Sequence, residues 1–348
     1  MSNLVDRFKY RNADWNDFGA LLNLKIEDFR PFFSLSERLK KEYFGTLLKI
    51  YIPNQKFPAI SITGNSCQLN CAHCNKKYLE GMEPIITENG LYNFLINHYK
   101  NGGVGALISG GCTSDGSVPL QKFIDPIKRI KEETNLIINT HTGLIKHDIA
   151  KRLAEAGVDI VSFDINIDKE IIEDIYHLDK SIDDYKNSIK ILHQNKLNIV
   201  PHICIGLYYG KLHKELETIR FLKELNIHPS LIVLIALIPP RKSMTKFRTP
   251  KPFDIAKIIF LMRYLFPKTE LSLGCMRPRG KLKIEIEKLA IRAGITRIEI
   301  PSVKTLKWAK KNNPEIDFEY FHACCAIPNE LEKRAKSNST ELTRYKKI

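Results

Sequence analysis

Three cysteines in a short stretch are the residues of this sequence best suited to chemistry. Cys67, Cys71 and Cys74 stand within eight residues, a spacing that favours ligation of one metal centre over disulfide bridging. Thiolates are soft ligands that select zinc or an iron–sulfur cluster. Three ligands favour a [4Fe–4S] cluster, because three thiolates leave one iron open whereas a structural zinc site closes four positions. A zinc knuckle completed by His73 is the alternative.

The elements that must position these cysteines follow a regular alternation. From residue 57 onward, short β-branched runs alternate with longer amphipathic segments, which is typical of βα units around a parallel sheet. The pattern predicts an α/β fold, a (βα)8 barrel of TIM type. Its expected strands are Pro58–Gly64, Gly105–Gly111, Asn135–Thr140, Asp159–Asn166, Asn198–Leu207, Ser230–Pro239, Glu270–Gly274 and Arg297–Pro301. The cysteines then fall at the C-terminal edge of the barrel, where such enzymes place their chemistry.

Three regions are expected along the chain. Residues 1–50 predict an N-terminal helical extension, because they look helical and lie outside the βα pattern. Residues 51–328 form the barrel, and residues 329–348 form a charged C-terminal tail without apolar periodicity. This organisation indicates one catalytic domain with decorated ends.

Composition narrows the class of protein. The 348 residues carry a net charge of +15, and the longest apolar run, Leu231 to Ile238, is too short to cross a membrane. Clustered free cysteines favour a reducing compartment, so we expect a cytoplasmic protein with no membrane segment. The positive charge suits either an anionic partner or a lysine-rich solvated surface. The sequence shows no separate RNA-binding module, which argues against nucleic acid as a partner.

The C-x3-C-x2-C spacing after the first strand resembles the signature of the radical S-adenosylmethionine (SAM) superfamily. The resemblance implies that Cys67, Cys71 and Cys74 bind a [4Fe–4S] cluster that transfers one electron to SAM. A 5′-deoxyadenosyl radical would then abstract hydrogen from a substrate C–H bond. It also implies an electron donor of ferredoxin or flavodoxin type.

The same resemblance suggests residues that bind SAM. Gly110 and Gly111 end the second strand and are similar to the glycine-rich turn that holds the methionine amino group. Asp164 and Asn166 share one face at the end of the fourth strand and look like the polar pair directed at the SAM ribose and the substrate. Arg277, after the seventh strand, is placed to meet a carboxylate. Each has an alternative interpretation. Gly110 and Gly111 could form a plain turn, Asp164 and Asn166 could cap the strand end, and Arg277 could lie in a solvated loop.

The remaining cysteines indicate a second iron–sulfur cluster. Cys112, Cys275 and the pair Cys324 and Cys325 come from three segments that could meet at the barrel mouth. We expect only one of the adjacent pair to bind, because neighbouring side chains point in different directions. Cys204, inside an apolar strand, is expected to be a buried core residue.

The whole pattern resembles biotin synthase, with one departure. Biotin synthase places its second-cluster cysteines within the second, third and fifth strands, where this sequence has Leu107, Ile108, Asn139, Val200 and Pro201. Cysteines at the rim resemble instead the archaeal biotin synthase-like proteins that form a two-component lipoyl synthase. This implies sulfur insertion into an acyl chain on a carrier protein, with a second radical SAM protein as partner.

Three other functions stay open. A single-cluster radical SAM enzyme could rearrange a small molecule or build a cofactor, and the rim cysteines would then be spectators. Sulfur insertion into tRNA draws on the positive charge. A non-catalytic binding or scaffold protein could use the cysteines as a metal knuckle.

Overall fold

Strands and helices alternate along this protein, as the sequence pattern predicts. The computed structural model describes residues 2–225, 227–240, 246–337 and 345. The strands of this part are β1 (Leu47–Tyr51), β2 (Ala59–Ser61), β3 (Glu83–Pro84), β4 (Gly105–Ser109), β5 (Ile137–His141), β6 (Ile160–Asp164), β7 (Ile199–Ile205), β8 (Leu231–Ala236), β9 (Glu270–Leu273), β10 (Arg297–Glu299), β11 (Asp317–Phe321) and β12 (Lys336–Ser337).

The helices of the described part fall mostly between these strands. They are α1 (Ser2–Lys9), α2 (Trp15–Leu22), α3 (Arg30–Phe44), α4 (Glu88–Lys100), α5 (Ile124–Glu133), α6 (His147–Glu155), α7 (Ile182–Gln194), α8 (Glu215–Glu224), α9 (Pro252–Leu265), α10 (Lys281–Arg292), α11 (Val303–Asn312) and α12 (Glu332–Ala335). A π-helical turn spans Ile171–Ile175. None of the described helices has the length and apolar character needed to cross a bilayer.

One sheet contains all the described strands, in the order β12-β11-β1-β10-β9-β8-β7-β6-β5-β4-β2-β3. The eight predicted strands are present as β2 and β4 to β10, and those that adjoin one another pair in parallel. The TIM-type (βα)8 fold class is therefore confirmed. Among the described residues no ladder joins the β11 end to the β2 end, so strand pairing leaves the barrel open.

The N-terminal region contributes a strand as well as helices. Residues 2–44 are largely helical, and Phe8 and Phe32 pack with Phe260 of α9 in an aromatic cluster. The sheet, however, begins at Leu47, inside the stretch predicted as a helical extension. This strand pairs in parallel with both β10 and β11, which places it within the barrel wall rather than outside it.

The segment 322–336, which we call the C-terminal plug, packs into the interior of the barrel. Its buried residues Cys325 and Ile327 pack against Tyr51 and Val200 in the barrel interior. The predicted tail thus begins within ordered structure, and its residues 338–344 and 346–348 lie outside the described residues.

A buried network of charges fixes the plug to the strands. Lys49 Nζ lies 2.8 Å from a Glu270 oxygen and 3.0 Å from a Glu332 oxygen. Arg297 forms ion pairs with the same two carboxylates at 3.2 and 2.9 Å. Tyr51 donates its hydroxyl proton to Glu332. Because Glu332 belongs to the plug and its partners belong to β1 and β10, this network ties the plug to the barrel wall.

Candidate functional site

The three clustered cysteines lie on the loop between β2 and β3, which folds back on itself. Ser61 Oγ donates to the Gly64 carbonyl at 2.6 Å, and Thr63 Oγ1 donates to the Ser66 carbonyl at 2.8 Å. Gly64 adopts a φ of +58°, a left-handed conformation that glycine takes without steric cost. The Gly111 N–H donates to Thr63 Oγ1 at 2.7 Å. The loop is thereby held against the end of β4.

The predicted glycine turn packs directly under this loop. A Cβ atom at position 111 would lie 2.1 Å from the Ser66 carbonyl oxygen and 2.5 Å from Cys67 Cβ. At Gly110 the nearest atom would be Thr63 Oγ1 at 3.0 Å. Only glycine therefore fits at position 111. The structure brings the turn and the cysteine loop together, as the sequence predicts.

The thiols of the loop are half-buried and close enough to repel one another as thiolates. Burial, together with Cys74 and Cys67, raises the pKa of Cys71 to about 12. Burial also raises the pKa of Cys74. A bound cation would reverse this repulsion, since a metal deprotonates its thiol ligands. Three free thiols in this arrangement fit a metal–sulfur cluster.

Cys112 belongs to this site rather than to the rim. Its N–H donates to Cys67 Sγ at 3.2 Å, and the Cys67 thiol lies 3.7 Å from its carbonyl oxygen. Hydrogen bonds of this kind to a ligand sulfur tune the metal it holds. The structure thus separates Cys112 from the other cysteines that we grouped with it.

His73 is held apart from solvent beside the cysteines. Its ring lies 5.5 Å from the Tyr176 ring, and burial lowers its pKa to about 4, so it is neutral at pH 7. Within the described residues its Nδ1 atom is buried without a hydrogen-bond partner. The π-helical turn braces the same loop, because the Ala72 N–H donates to the Ile175 carbonyl at 2.7 Å.

Asp164 and Asn166 end β6 at the open mouth of the barrel. Asp164 is exposed there, whereas Asn166 is buried and its Nδ2 atom finds no partner among the described residues. Buried amide donors are normally satisfied, so this one is available to a bound ligand. The pair fits the predicted cofactor-binding role.

Two histidines beside Asp164 were missed in the sequence. His202 is the register partner of Asp164 on β7, and the His141 ring lies 5.6 Å from it. Burial lowers the pKa of His141 to about 4 and lowers the pKa of His202, while Asp164 acts in the opposite direction. Both histidines are therefore neutral polar groups facing the interior. The sequence contains a signal for them. Side chains alternate between the two faces of a strand, so the predicted position of Asp164 indicates which residues of β5 and β7 share its face.

A second group of thiols lies at the other side of the mouth. It consists of the Cys324 and Cys325 sulfurs and a carboxylate oxygen of Glu299, and these three atoms lie within 4.8 Å of one another. We expected neighbouring side chains to point in different directions, but the thiols of Cys324 and Cys325 both face Glu299. They can do so because the two residues lie at a turn, where side chains do not alternate as they do in a strand. Burial raises the pKa of the Cys275 thiol, and so do Glu299 and Cys324, which places this thiol near the same group.

Tyr78 links the two groups of thiols. Burial raises its pKa, and so do Cys74, Cys204 and Cys275 in turn. A single side chain is therefore near both the clustered cysteines and the rim. Cys204 is half-buried and packs against an apolar cluster of Ile171, Ile175, Leu207 and Leu237, in keeping with the expected core role.

The model of the radical SAM superfamily matches residues 61–222. The chain carries a radical SAM domain. The match begins in β2 and ends in α8, so it contains the clustered cysteines, the glycine turn and Asp164. The rim cysteines lie outside it. A radical SAM domain implies a [4Fe–4S] cluster and SAM, which the half-buried thiols and the unpaired Asn166 donor fit.

Several relatives of this radical SAM protein are biotin synthases. That of Buchnera aphidicola subsp. Acyrthosiphon pisum (strain 5A) is 25% identical over 86% of each chain. That of Geotalea daltonii is 21% identical, covering 73% of this chain and 76% of its own.

Two solved structures share the fold. The FeFe-hydrogenase maturase HydG from Carboxydothermus hydrogenoformans has a TM-score of 0.70 at 15% identity, covering 95% of this chain and 81% of its own. A methylornithine synthase (PylB) structure has a TM-score of 0.61 at 18% identity, covering 85% of each chain.

Arg277, predicted to meet a carboxylate of the cofactor or of a substrate, is bonded within the protein in this structure. Its buried guanidinium donates to the Gly274 carbonyl at 2.5 Å, to Glu287 at 2.6 Å and to the Glu299 carbonyl at 2.8 Å. These bonds secure the end of β9 to α10 and β10. A sequence shows that an arginine follows a strand, but not that a glutamate ten residues later will draw it inward.

Replacement of Asp164 with asparagine is expected to weaken SAM binding by about tenfold or more. Hydrogen bonds to a charged group contribute about 1.5–3 kcal/mol, and asparagine keeps the size while removing the charge. Equilibrium dialysis with labelled SAM measures the effect, with Asp183→Asn on the exposed start of α7 as the control. Equal dissociation constants for the Asp164 variant and the unchanged radical SAM protein would rule out this role.

Proposed function

We propose that this radical SAM enzyme inserts sulfur into C–H bonds of an acyl chain, as a lipoyl synthase-like protein does. The observation that carries the proposal is the presence of two groups of cysteines with Tyr78 near a member of each. Cys67, Cys71 and Cys74 form the first group, and Cys275, Cys324 and Cys325 form the second. The second group supplies a place for a second cluster, the sulfur source of such enzymes.

The bound [4Fe–4S] cluster supplies one electron for the reductive cleavage of SAM. This chain holds it through the three loop cysteines and supports it from below with Gly111. Asp164 and Asn166 orient the nucleoside end of SAM, and the buried interior excludes water from the reacting centre. Burial lowers the pKa values of His141 and His202, so both line the interior as neutral side chains and add no positive charge there.

Comparison with the relatives supports sulfur chemistry more than biotin formation. The relatives described above are biotin synthases, which insert sulfur. The positions within the strands that would hold their second-cluster cysteines are occupied here by Leu107, Ile108, Asn139, Val200 and Pro201. A second cluster in this protein must therefore use the rim cysteines. This relocation favours a different substrate from that of biotin synthase.

Partners follow from the proposed reaction. A carrier protein would present the acyl chain, a ferredoxin or flavodoxin would supply electrons, and a second radical SAM protein would share the two insertions. Carrier proteins and these electron donors are acidic, and the net charge of +15 would speed encounter with them.

Iron and sulfide content with Mössbauer spectroscopy tests the proposal. We expect about eight irons in the reconstituted protein and about four in a Cys67→Ala, Cys71→Ala, Cys74→Ala variant, as two [4Fe–4S] clusters require. Cys204→Ala, outside both groups, is the control and should keep all of them. Turnover of an octanoylated carrier domain would follow. About four irons in the wild type and none in the triple variant would remove the sulfur source and refute sulfur insertion.

One observation favours a second candidate, a single-cluster enzyme acting on a small polar molecule. Ser162 Oγ donates to Asn139 Oδ1 at 3.0 Å in the barrel interior, and the Asn139 Nδ2 atom has no partner among the described residues. With His141 and His202 these residues make a polar column, whereas an acyl chain prefers an apolar one. The iron count separates the two candidates.

A further inference from the structure

His213 lies on the loop that joins β7 to α8, and three neighbours hold it in place. Its backbone N–H donates to Glu215 Oε2 at 2.6 Å, and the other oxygen of that carboxylate accepts the Gly206 N–H at 2.8 Å. The Tyr208 ring stacks on the imidazole, with the ring centroids 4.0 Å apart. The imidazole Nδ1 atom lies 2.7 Å from Asp168 Oδ2. Because carboxylate oxygens accept hydrogen bonds, the ring donates its Nδ1 proton to Asp168.

Asp168 is a buried carboxylate that uses both of its oxygens, and its residue surface is only 3% exposed. While Oδ2 accepts from His213, Oδ1 accepts the N–H groups of Glu170 and Ile171 at 3.0 and 3.3 Å. These two N–H groups stand at the start of the π-helical turn, so Asp168 caps that turn. A buried carboxylate is costly unless its oxygens are satisfied. Among the described residues, His213 is the side chain that donates to it.

The π-helical turn contacts the loop that carries the clustered cysteines. The Ala72 N–H donates to the Ile175 carbonyl at 2.7 Å, and Cys71 Sγ lies 3.7 Å from the Tyr176 carbonyl oxygen. Turns of this kind inside or beside helices occur frequently at functional sites. Hydrogen bonds therefore run from the imidazole, through its carboxylate partner and the turn, to a residue that stands between two of the cluster ligands.

We propose that His213 is a positioning residue for the SAM-binding cluster. Its Nδ1 donor fixes Asp168, and Asp168 holds the π-helical turn against the loop that carries Cys71. The loop between β7 and α8 thereby helps to place a cluster ligand that belongs to a distant part of the sequence. This role follows from the radical SAM domain alone and does not depend on the second group of cysteines.

Three substitutions of His213 test the role of the Nδ1 donor. The amide nitrogen of asparagine can reach the position of Nδ1, whereas that of glutamine reaches the position of Nε2. We expect His213→Asn to retain reductive cleavage of SAM. His213→Gln and His213→Ala should each slow it about tenfold, the effect of losing one hydrogen bond to a charged group. Release of 5′-deoxyadenosine after dithionite reduction measures the rate, with His193→Ala at the exposed end of α7 as the control.

Two physical measurements separate positioning from a general loss of structure. In protein without iron, hydrogen–deuterium exchange of residues 68–76 and 171–176 should be faster in the glutamine and alanine variants than in the asparagine variant. Exchange in the central strands should be the same in all three. The electron paramagnetic resonance spectrum of the reduced cluster with SAM should likewise change in the glutamine and alanine variants and not in the asparagine variant.

Chemical rescue completes the test. His213 lines a cavity of about 600 Å³, and its side chain is 25% exposed. Added imidazole can therefore enter the space left by His213→Ala, and we expect it to restore SAM cleavage in that variant and to leave His193→Ala unchanged. Equal rates for the asparagine and glutamine variants, whether both full or both reduced, would overturn the role of His213. Failure of imidazole to restore the alanine variant would overturn it as well.

Discussion

An alanine at position 111 is expected to abolish loading of the SAM-binding cluster. The added Cβ atom would lie 2.1 Å from the Ser66 carbonyl oxygen and 2.5 Å from Cys67 Cβ, and both belong to or adjoin backbone that cannot move aside cheaply. The loop must shift, and Cys67 shifts with it. We expect the Gly111→Ala protein to lose about four irons per chain and its reductive cleavage of SAM. Iron analysis and release of 5′-deoxyadenosine after dithionite reduction measure the two losses.

Gly81→Ala is a matched control, because a Cβ atom there meets nothing within 4 Å and the residue precedes β3 on the same loop. It should bind iron and cleave SAM as the unchanged protein does. Full iron content in the Gly111 variant would show that the loop tolerates displacement and that the glycine is only a turn residue.

Replacement of Arg297 with leucine is expected to lower the free energy of unfolding by about 3–5 kcal/mol. Arg297 is fully buried and pairs with Glu270 and Glu332, so its loss leaves two buried carboxylates with Lys49 as their shared cation. Denaturant unfolding followed by circular dichroism measures the change. Lys336→Ala removes a surface ion pair with Glu319 and should change stability by less than about 1 kcal/mol.

The Arg297→Leu substitution should also alter the pH dependence of the free energy of unfolding. Burial opposes ionisation of Glu270, but Arg297 and Lys49 outweigh it and lower its pKa to about 2. Its contribution is therefore complete above the ordinary value of 4.5 and is lost as pH falls towards 2. The deficit of Arg297→Leu should accordingly be smaller at about pH 3 than at about pH 6. A deficit that does not vary with pH would show that lost packing, rather than charge pairing, is the cause.

Most of the fold prediction rested on the periodicity of hydrophobic residues along the sequence. The prediction failed where a segment becomes a strand only through pairing with residues far away in the chain. The eight central strands each have a β-branched run followed by an amphipathic helix, so local pattern alone identifies them. Leu47–Tyr51 is short and follows three helices, and its strand character comes from partners near the other end of the chain. The plug could not be predicted from the sequence either. Glu332 is typical of a surface residue, and only the structure shows its buried partners Lys49 and Arg297.

The candidate site was predictable as far as spacing along the chain fixes geometry. Cys67, Cys71 and Cys74 share one loop, and Gly111 is positioned by the next strand in the sheet. Residues that meet across the barrel were not predictable in this way. Cys112 joins Cys67 instead of the rim, and Glu299 joins Cys324 and Cys325 without any local motif.

The plug sets an order of events during synthesis of the protein. Tyr51 emerges from the ribosome early, yet its partner Glu332 is 281 residues further along the chain. β1 likewise waits for β10 and β11 before both of its edges are paired. A nascent chain therefore exposes an open sheet edge until β10, β11 and the plug have been synthesised. Strand β1 can therefore take its final place in the barrel wall only after the plug has left the ribosome.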